Sequence, residues 1–260
     1  MQAYSATRDC KAIATEKPAM NPTGTDDDPS NITDIRKKRD AEWGVAASQV
    51  QRWPALLAIL IAMALYVTLP GHFYYGPVWL LPAAEGALFV ALLTARRMEQ
   101  EGHEWQRGLA IGLIAAVSAA NIGSLLLLIH ALLGSTLVNG HKITAENLVV
   151  WSAQIWLTNV IVFALWYWEL DRGGPVDRCL SHHRAPDFLF PQMANPDAAP
   201  PGWTPSFFDY VYTSFTNAAA FSPTDTMPLS EWAKALFMIQ SLASLVTAVL
   251  VIARIANILP

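Results

Sequence analysis

From residue 53 onward the chain alternates long, almost uncharged apolar stretches with short polar ones. Five such stretches stand out, at 53–69, 77–95, 108–133, 148–168 and 235–253. A bilayer core about 30 Å thick needs roughly 20 residues of helix at about 1.5 Å each. Four stretches meet that length. The first is a turn short, a mismatch that slight thinning of the bilayer or anchoring by Trp53 and Tyr66 accommodates. Stretches 108–133 and 148–168 contain no Lys, Arg, Asp or Glu, and 235–253 is bracketed by Lys234 and Arg254, whose heads can reach the two interfaces. The pattern predicts an all-α, polytopic helical membrane protein with five spans.

Residues 205–222 break the pattern. Phe207, Phe208, Tyr210, Val211, Tyr212 and Phe215 alternate there with Asp209, Thr213, Ser214, Thr216 and Asn217. A segment this polar lies at membrane depth only where protein or water shelters it, so it predicts a short re-entrant half-helix or a sheltered sixth span. Before it runs a Pro- and Gly-rich loop, 169–204, long enough to imply a functional or docking role. Residues 1–50 are rich in Asp, Thr, Asn, Pro and Lys and predict a disordered tail that buries too little apolar surface to offset its ordering entropy. The chain thus divides into a tail (1–50), a four-span bundle (51–168), the loop (169–204), and a half-helix with a final span (205–260).

Composition sharpens this picture. Hydrophobic residues make up 53% of the chain and charged residues only 15%, and eight of the 17 basic and eight of the 21 acidic residues fall before residue 53. What remains is even more apolar than the average implies. A net charge of −4 offers no basic surface to neutralise phosphates, which excludes a nucleic-acid partner. Lys and Arg near the span ends set the orientation. Arg36, Lys37, Lys38, Arg39 and Arg52 precede the first span, and Arg96, Arg97 and Arg107 lie between the second and third, against Lys142 alone between the third and fourth. The N-terminus is therefore expected in the cytoplasm of a bacterial inner-membrane protein, and the 169–204 loop returns to that side. With no short apolar core and cleavage site at the N-terminus, the first span is expected to double as the insertion signal. The sequon at Asn31 and Thr33 would then meet no glycosylating enzyme. Trp166, Tyr167 and Trp168 are expected to form an aromatic belt at the inner interface.

Polar groups inside the apolar stretches are the candidate chemistry. Glu85 lies near the middle of the second span, where a carboxylate serves as a proton or ion site or else sits neutral and hydrogen-bonded as a structural group. Gly108 and Gly112 form a GxxxG pair, extended by Ala116, Ala119, Ala120 and Gly123, that predicts close helix packing. Asn121, Gln154 and Asn159, with Ser118, Ser124 and Thr158, predict hydrogen bonds between helices. Gln240, Ser244, Thr247 and Arg254 recur at helical spacing on one stripe of the last span, which is either a packing face or the lining of a polar space. In the loop, Cys179, His182, His183 and Asp187 are zinc-ligand types, but their spacing matches no zinc signature, and no metal or other cofactor is expected. Cys10 and Cys179 read as free thiols. No GxSxG, HExxH, Walker or dinucleotide motif occurs, so the chain is not expected to be an enzyme.

Residues 208–257 run Phe-Asp-Tyr-Val-Tyr-Thr-Ser-Phe-Thr-Asn-Ala-Ala-Ala-Phe-Ser-Pro-Thr-Asp-Thr-Met-Pro into polar residues and an apolar helix. This resembles the pore helix, filter and inner helix of potassium-channel-type pore-loop channels. Asp225 and Pro228 match the family's Asp-x-x-Pro spacing, and Ala220 to Thr224 stand at the filter positions. The resemblance implies a pore lined by Ser222, Thr224, Asp225 and the Gln240 stripe, a monovalent cation as permeant ion, and a homo-oligomer, since one hairpin supplies part of a ring. Filter glycines let successive carbonyls point inward. Here Ser222, Pro223 and Thr224 replace them, so a potassium-selective carbonyl ladder is not expected. The blocks 188–192, 220–228 and 240–257 also resemble a family of bacterial multi-span inner-membrane proteins of uncharacterised activity.

Three function classes follow. The first is a channel-like pore, the second a non-conducting structural or partner-binding membrane protein, and the third a membrane enzyme using His182, His183 and Asp187.

Overall fold

The computed structural model of the chain describes residues 7–9, 49–51, 53–68, 103–133, 137–138, 141–142, 145–175, 177–179, 185–195, 197, 199–200, 203–220 and 225–258. Most of these are helical. Helix α1 covers Trp53–Val67, α2 His103–Leu133, α3 Ala145–Leu170, α4 Pro191–Ala194, α5 Phe207–Ala220 and α6 Glu231–Ile258. Three short antiparallel pairs accompany them: β1 (Thr7–Asp9) with β2 (Gln49–Gln51), β3 (Leu137–Val138) with β4 (His141–Lys142), and β5 (Phe188–Leu189) with β6 (Met227–Pro228). The β1–β2 pair joins the two ends of the N-terminal tail, and the other tail residues lie outside the described ones.

Three helices are long and apolar enough to cross a bilayer, over Arg107–His130, Glu146–Gly173 and Glu231–Ala253. Helix α1 is apolar over the shorter stretch Trp53–Leu65. The expected span at 77–95, with Glu85, lies outside the described residues. Helices α2, α3 and α6 start several residues before the apolar stretches that predict them. Glu146 and Glu231 stand in the first turns of α3 and α6, where a carboxylate meets the positive end of the helix dipole. Ser230 adds a cap, its hydroxyl accepting the Ala233 N–H at 3.3 Å.

Helix α3 is central, packing against α1, α2, α5 and α6. The outer helices each turn one stripe toward it. On α1 the buried positions are Ala55, Ala58, Ile59 and Ala62, and on α6 they are Ala233, Phe237, Gln240, Ser244 and Thr247. The spacing of three and four keeps each set on one face. From Met238 onward the residues that α6 turns outward are apolar, Met238, Leu242, Val249 and Ile252 among them. Polar inside and apolar outside reverses the soluble rule and suits a helix bathed in lipid.

The aromatic triplet at the end of α3 differs from its expected belt. Tyr167 is fully buried and Trp168 nearly so, and the half-buried Trp166 donates its indole N–H to the Ser118 hydroxyl on α2 at 2.8 Å. With helices on nearly all sides of α3, consecutive residues find partners on different neighbours, and no face is left for an aromatic belt.

Candidate functional site

Helix α5 resolves the tension between its polar and aromatic residues by segregating them. Phe207, Tyr210, Thr213, Ser214 and Asn217 face the interior, while Phe208, Tyr212 and Phe215 face outward. The helix is capped at its start, where the Ser206 backbone N–H and hydroxyl both donate to an Asp209 carboxylate oxygen at 2.7 Å. Its 14 residues extend about 21 Å, well short of the roughly 30 Å hydrocarbon core.

Both flanks of α5 return to one place. At its start, Tyr210 donates its hydroxyl to Asp171 Oδ2 at 2.6 Å, just beyond the end of α3. After its end, β6 pairs with β5, with Phe188 opposite Pro228 and Leu189 opposite Met227. Leu229 then donates its N–H to the Asp187 carbonyl at 2.8 Å. Asp187 in turn is bonded to Asp171 and Arg172. The stretch from Phe207 to Leu229 therefore leaves and returns at the same end of α3.

That end of α3 is held by a buried ionic cluster. Arg172 (φ 54°), Gly173 (φ 83°) and Gly174 (φ 107°) stop the helix in left-handed backbone. A Cβ at Gly173 would collide with the Asp177 carboxylate. Arg178 donates from Nη1 to the Trp168 carbonyl (2.8 Å) in the last turn of α3 and to the Asp171 carbonyl (3.1 Å), which also accepts the Gly174 N–H at 2.9 Å. Its guanidinium lies 4.3 Å from the Trp168 ring centre, within cation–π range. Asp171 is completely buried, its Oδ1 accepting the Asp187 N–H at 3.0 Å and its Oδ2 lying 3.7 Å from Arg172 Nε. Arg172 and Arg178, two of the basic residues of the 169–204 loop, are thus internal, at 2% and 4% exposure.

Deeper along α5, Gln240 is the hub of a second polar group. Its Oε1 accepts from the Tyr167 hydroxyl at 2.6 Å and from Asn217 Nδ2 at 2.8 Å. Its Nε2 donates to the Ser214 carbonyl and hydroxyl at 3.0 and 2.7 Å. Ser214 passes its own proton to the Val160 carbonyl at 2.7 Å, and Ser241 donates to Asn217 Oδ1 at 3.0 Å. Helices α3, α5 and α6 are joined through one side chain.

The remaining candidates separate. Ser244 and Thr247 lie on the same buried stripe as Gln240, and Ser244 accepts from Asn159 Nδ2 at 3.3 Å. Asn121 donates to Asn159 at 3.5 Å, and Gln154 donates to the Thr68 hydroxyl at 3.0 Å. Asp225 is exposed, with the Tyr212 hydroxyl 3.2 Å from its Oδ2. Ser222, Thr224, Glu85, His182, His183 and the Arg254 side chain lie outside the described residues. Among the described residues no three metal-ligating side chains converge. Sequence reasoning missed Asp171, Arg172, Arg178 and Tyr210, although the paired glycines after α3 were a visible sign of a built turn.

Gly108 and Gly112 do not make the expected close approach to any described helix, because a Cβ at either would meet no described atom within 4 Å. Gly112→Ala is accordingly expected to stabilise α2 by about 0.5–1 kcal/mol through helix propensity alone. Thermal unfolding in detergent reads this directly, and a loss of stability instead would mean that another surface presses on this face.

Compared with protein-family models, curated proteins and solved structures, the chain matches none.

Proposed function

We propose that the chain is a five-span inner-membrane protein whose 205–228 hairpin is a channel-like pore element, entering from the cytoplasmic face and completed by further copies of the same chain. The observation that carries this reading is the half-length helix α5, whose two flanks are fastened at one end of α3. A helix that stops inside the bilayer leaves its last carbonyls short of partners and presents partial negative charge there. On the returning arm the exposed Asp225 carboxylate lies 3.2 Å from the Tyr212 hydroxyl, about two turns back along α5, so the dipole at the helix end and a carboxylate further along its flank both favour a cation. A monovalent cation is the simplest permeant species, since one carboxylate per chain is a sparse site for a divalent ion.

The test is conductance of the purified, full-length protein in planar bilayers. A cation-selective current is expected, reduced about threefold to tenfold by Asp225→Asn, which removes charge at constant volume. No current from protein shown to be folded and inserted would end the proposal, as would a current indifferent to Asp225→Asn.

One observation favours a second reading. Gln240 has all its hydrogen-bonding capacity used within one chain, which is the behaviour of a packing element rather than a lining residue. On that reading the hairpin is a non-conducting structural or partner-binding part of the membrane domain.

A further inference from the structure

The segment from 185 to 190 touches every element that frames the hairpin. Asp187 uses three different groups on three different partners. Its carboxylate Oδ2 accepts the Arg172 N–H at 2.9 Å, its own N–H donates to Asp171 Oδ1 at 3.0 Å, and its carbonyl accepts the Leu229 N–H at 2.8 Å. The first two bonds fix the segment to the end of α3, and the third fixes the chain returning from α5 to the segment. Phe188 repeats the arrangement with apolar contacts. Its ring centre lies 5.1 Å from that of Tyr167 on α3, 6.3 Å from Tyr210 on α5 and 5.7 Å from Phe237 on α6. The β5–β6 pair then runs on to Met227, two residues from Asp225.

We infer that residues 185–190 form a strap that sets the position of the returning arm of the hairpin, and that the Asp187 side chain is its positioning group. The carboxylate acts through geometry. Its bond to the Arg172 N–H holds a residue in left-handed backbone, a conformation that costs a non-glycine residue free energy and persists only where neighbours enforce it. Without that acceptor the Arg172 N–H has lost its partner, the strap loses one of its two hydrogen bonds to the α3 end, and the Leu229 contact moves with it. Any displacement of the loop on this side of the bundle is thereby passed to Asp225. The inference rests on the re-entrant placement of α5 proposed above but not on conduction, so silent bilayers would leave it intact.

Amide hydrogen exchange on the full-length protein in detergent tests it, because the Leu229 N–H reports the strap contact itself. Asp187→Ala is expected to speed exchange at Met227 and Leu229 at least tenfold while amides of α6 from 240 to 247 keep their wild-type rates. Asp187→Asn retains an oxygen acceptor for the Arg172 N–H and is expected to stay within about threefold of wild type at Leu229. Unchanged exchange at Leu229 in Asp187→Ala would overturn the inference. So would equal loss in both variants, which would make the charge, not the acceptor, the operative feature. A rise spread evenly over α5 and α6 would also overturn it, because the role would then be in the stability of the whole bundle.

Discussion

Asp171→Ala is expected to destabilise the folded chain by about 3–5 kcal/mol, the range for removing one member of a buried charge pair. The substitution strips an acceptor from the Tyr210 hydroxyl at 2.6 Å and another from the Asp187 N–H at 3.0 Å. It also leaves the Arg172 guanidinium, 3.7 Å away and almost wholly buried, without its adjacent counter-charge. Tyr210→Phe removes only one hydrogen bond to the same carboxylate and is expected to cost about 1–2 kcal/mol. Because the two variants share that bond, the double mutant should cost less than their sum. Unfolding by denaturant titration in mixed micelles, followed by tryptophan fluorescence, measures all three. An Asp171→Ala protein within about 1 kcal/mol of wild type would mean that the cluster is hydrated and that water replaces the lost carboxylate.

How far the fold was legible in the sequence depended on which physical signal each element carried. Helices α2, α3 and α6 were legible because hydrocarbon imposes a length and excludes charge, and both are visible in a linear string. The inward stripe of α6 was legible as well, since Gln240, Ser244 and Thr247 interrupt an apolar background at helical spacing. Its partners were not. Ser214, Asn217, Tyr167 and Asn159 come from two other helices, and nothing in local periodicity says which polar side chain meets which.

Two misreadings have a common cause. In a soluble chain apolar means inside and charged means outside, so composition reports burial. In a chain built for lipid the apolar residues face both the core and the solvent, which here is hydrocarbon. Tyr167 and Trp168 therefore looked like lipid-facing anchors when they are among the most buried residues of the bundle. Conversely, Asp171, Arg172 and Arg178 looked like loop charges in water. Arg178 bonds to the Trp168 and Asp171 carbonyls, and the Asp171 carboxylate accepts from the Tyr210 hydroxyl and the Asp187 N–H, which offsets part of their desolvation, whereas the Arg172 guanidinium has the Met193 sulfur 3.2 Å from Nη2 and the Asp171 carboxylate 3.7 Å from Nε. The Ser206-x-x-Asp209 cap at the start of α5 was not read from the sequence, although its spacing is that of an N-cap and its third residue. It marks where the half-helix begins.

Gln240→Leu is expected to cost about 3 kcal/mol, although it replaces a polar side chain in an apolar span by an apolar one of similar size. Hydrogen bonds between membrane helices average about 0.6 kcal/mol each and reach about 1.7. Gln240 makes four, to Tyr167, Asn217 and twice to Ser214. Leucine would also leave the fully buried Tyr167 hydroxyl without its 2.6 Å acceptor, and an unpaired buried donor costs about 1–3 kcal/mol by itself. Asn217 loses less, because its amide also donates to the Phe237 carbonyl at 3.2 Å. Combining Gln240→Leu with Tyr167→Phe should therefore recover part of the loss, since the orphaned hydroxyl is removed together with its acceptor. The same variant discriminates between the two proposed functions. If Gln240 packs the hairpin against α3 and α6, stability in micelles falls by about the stated amount, and any conductance falls only in proportion to folded protein. If it lines a permeation path, stability stays within about 1 kcal/mol of wild type while current per folded molecule collapses, and the hydrogen-bonded hub described here would not be the conducting form of the protein.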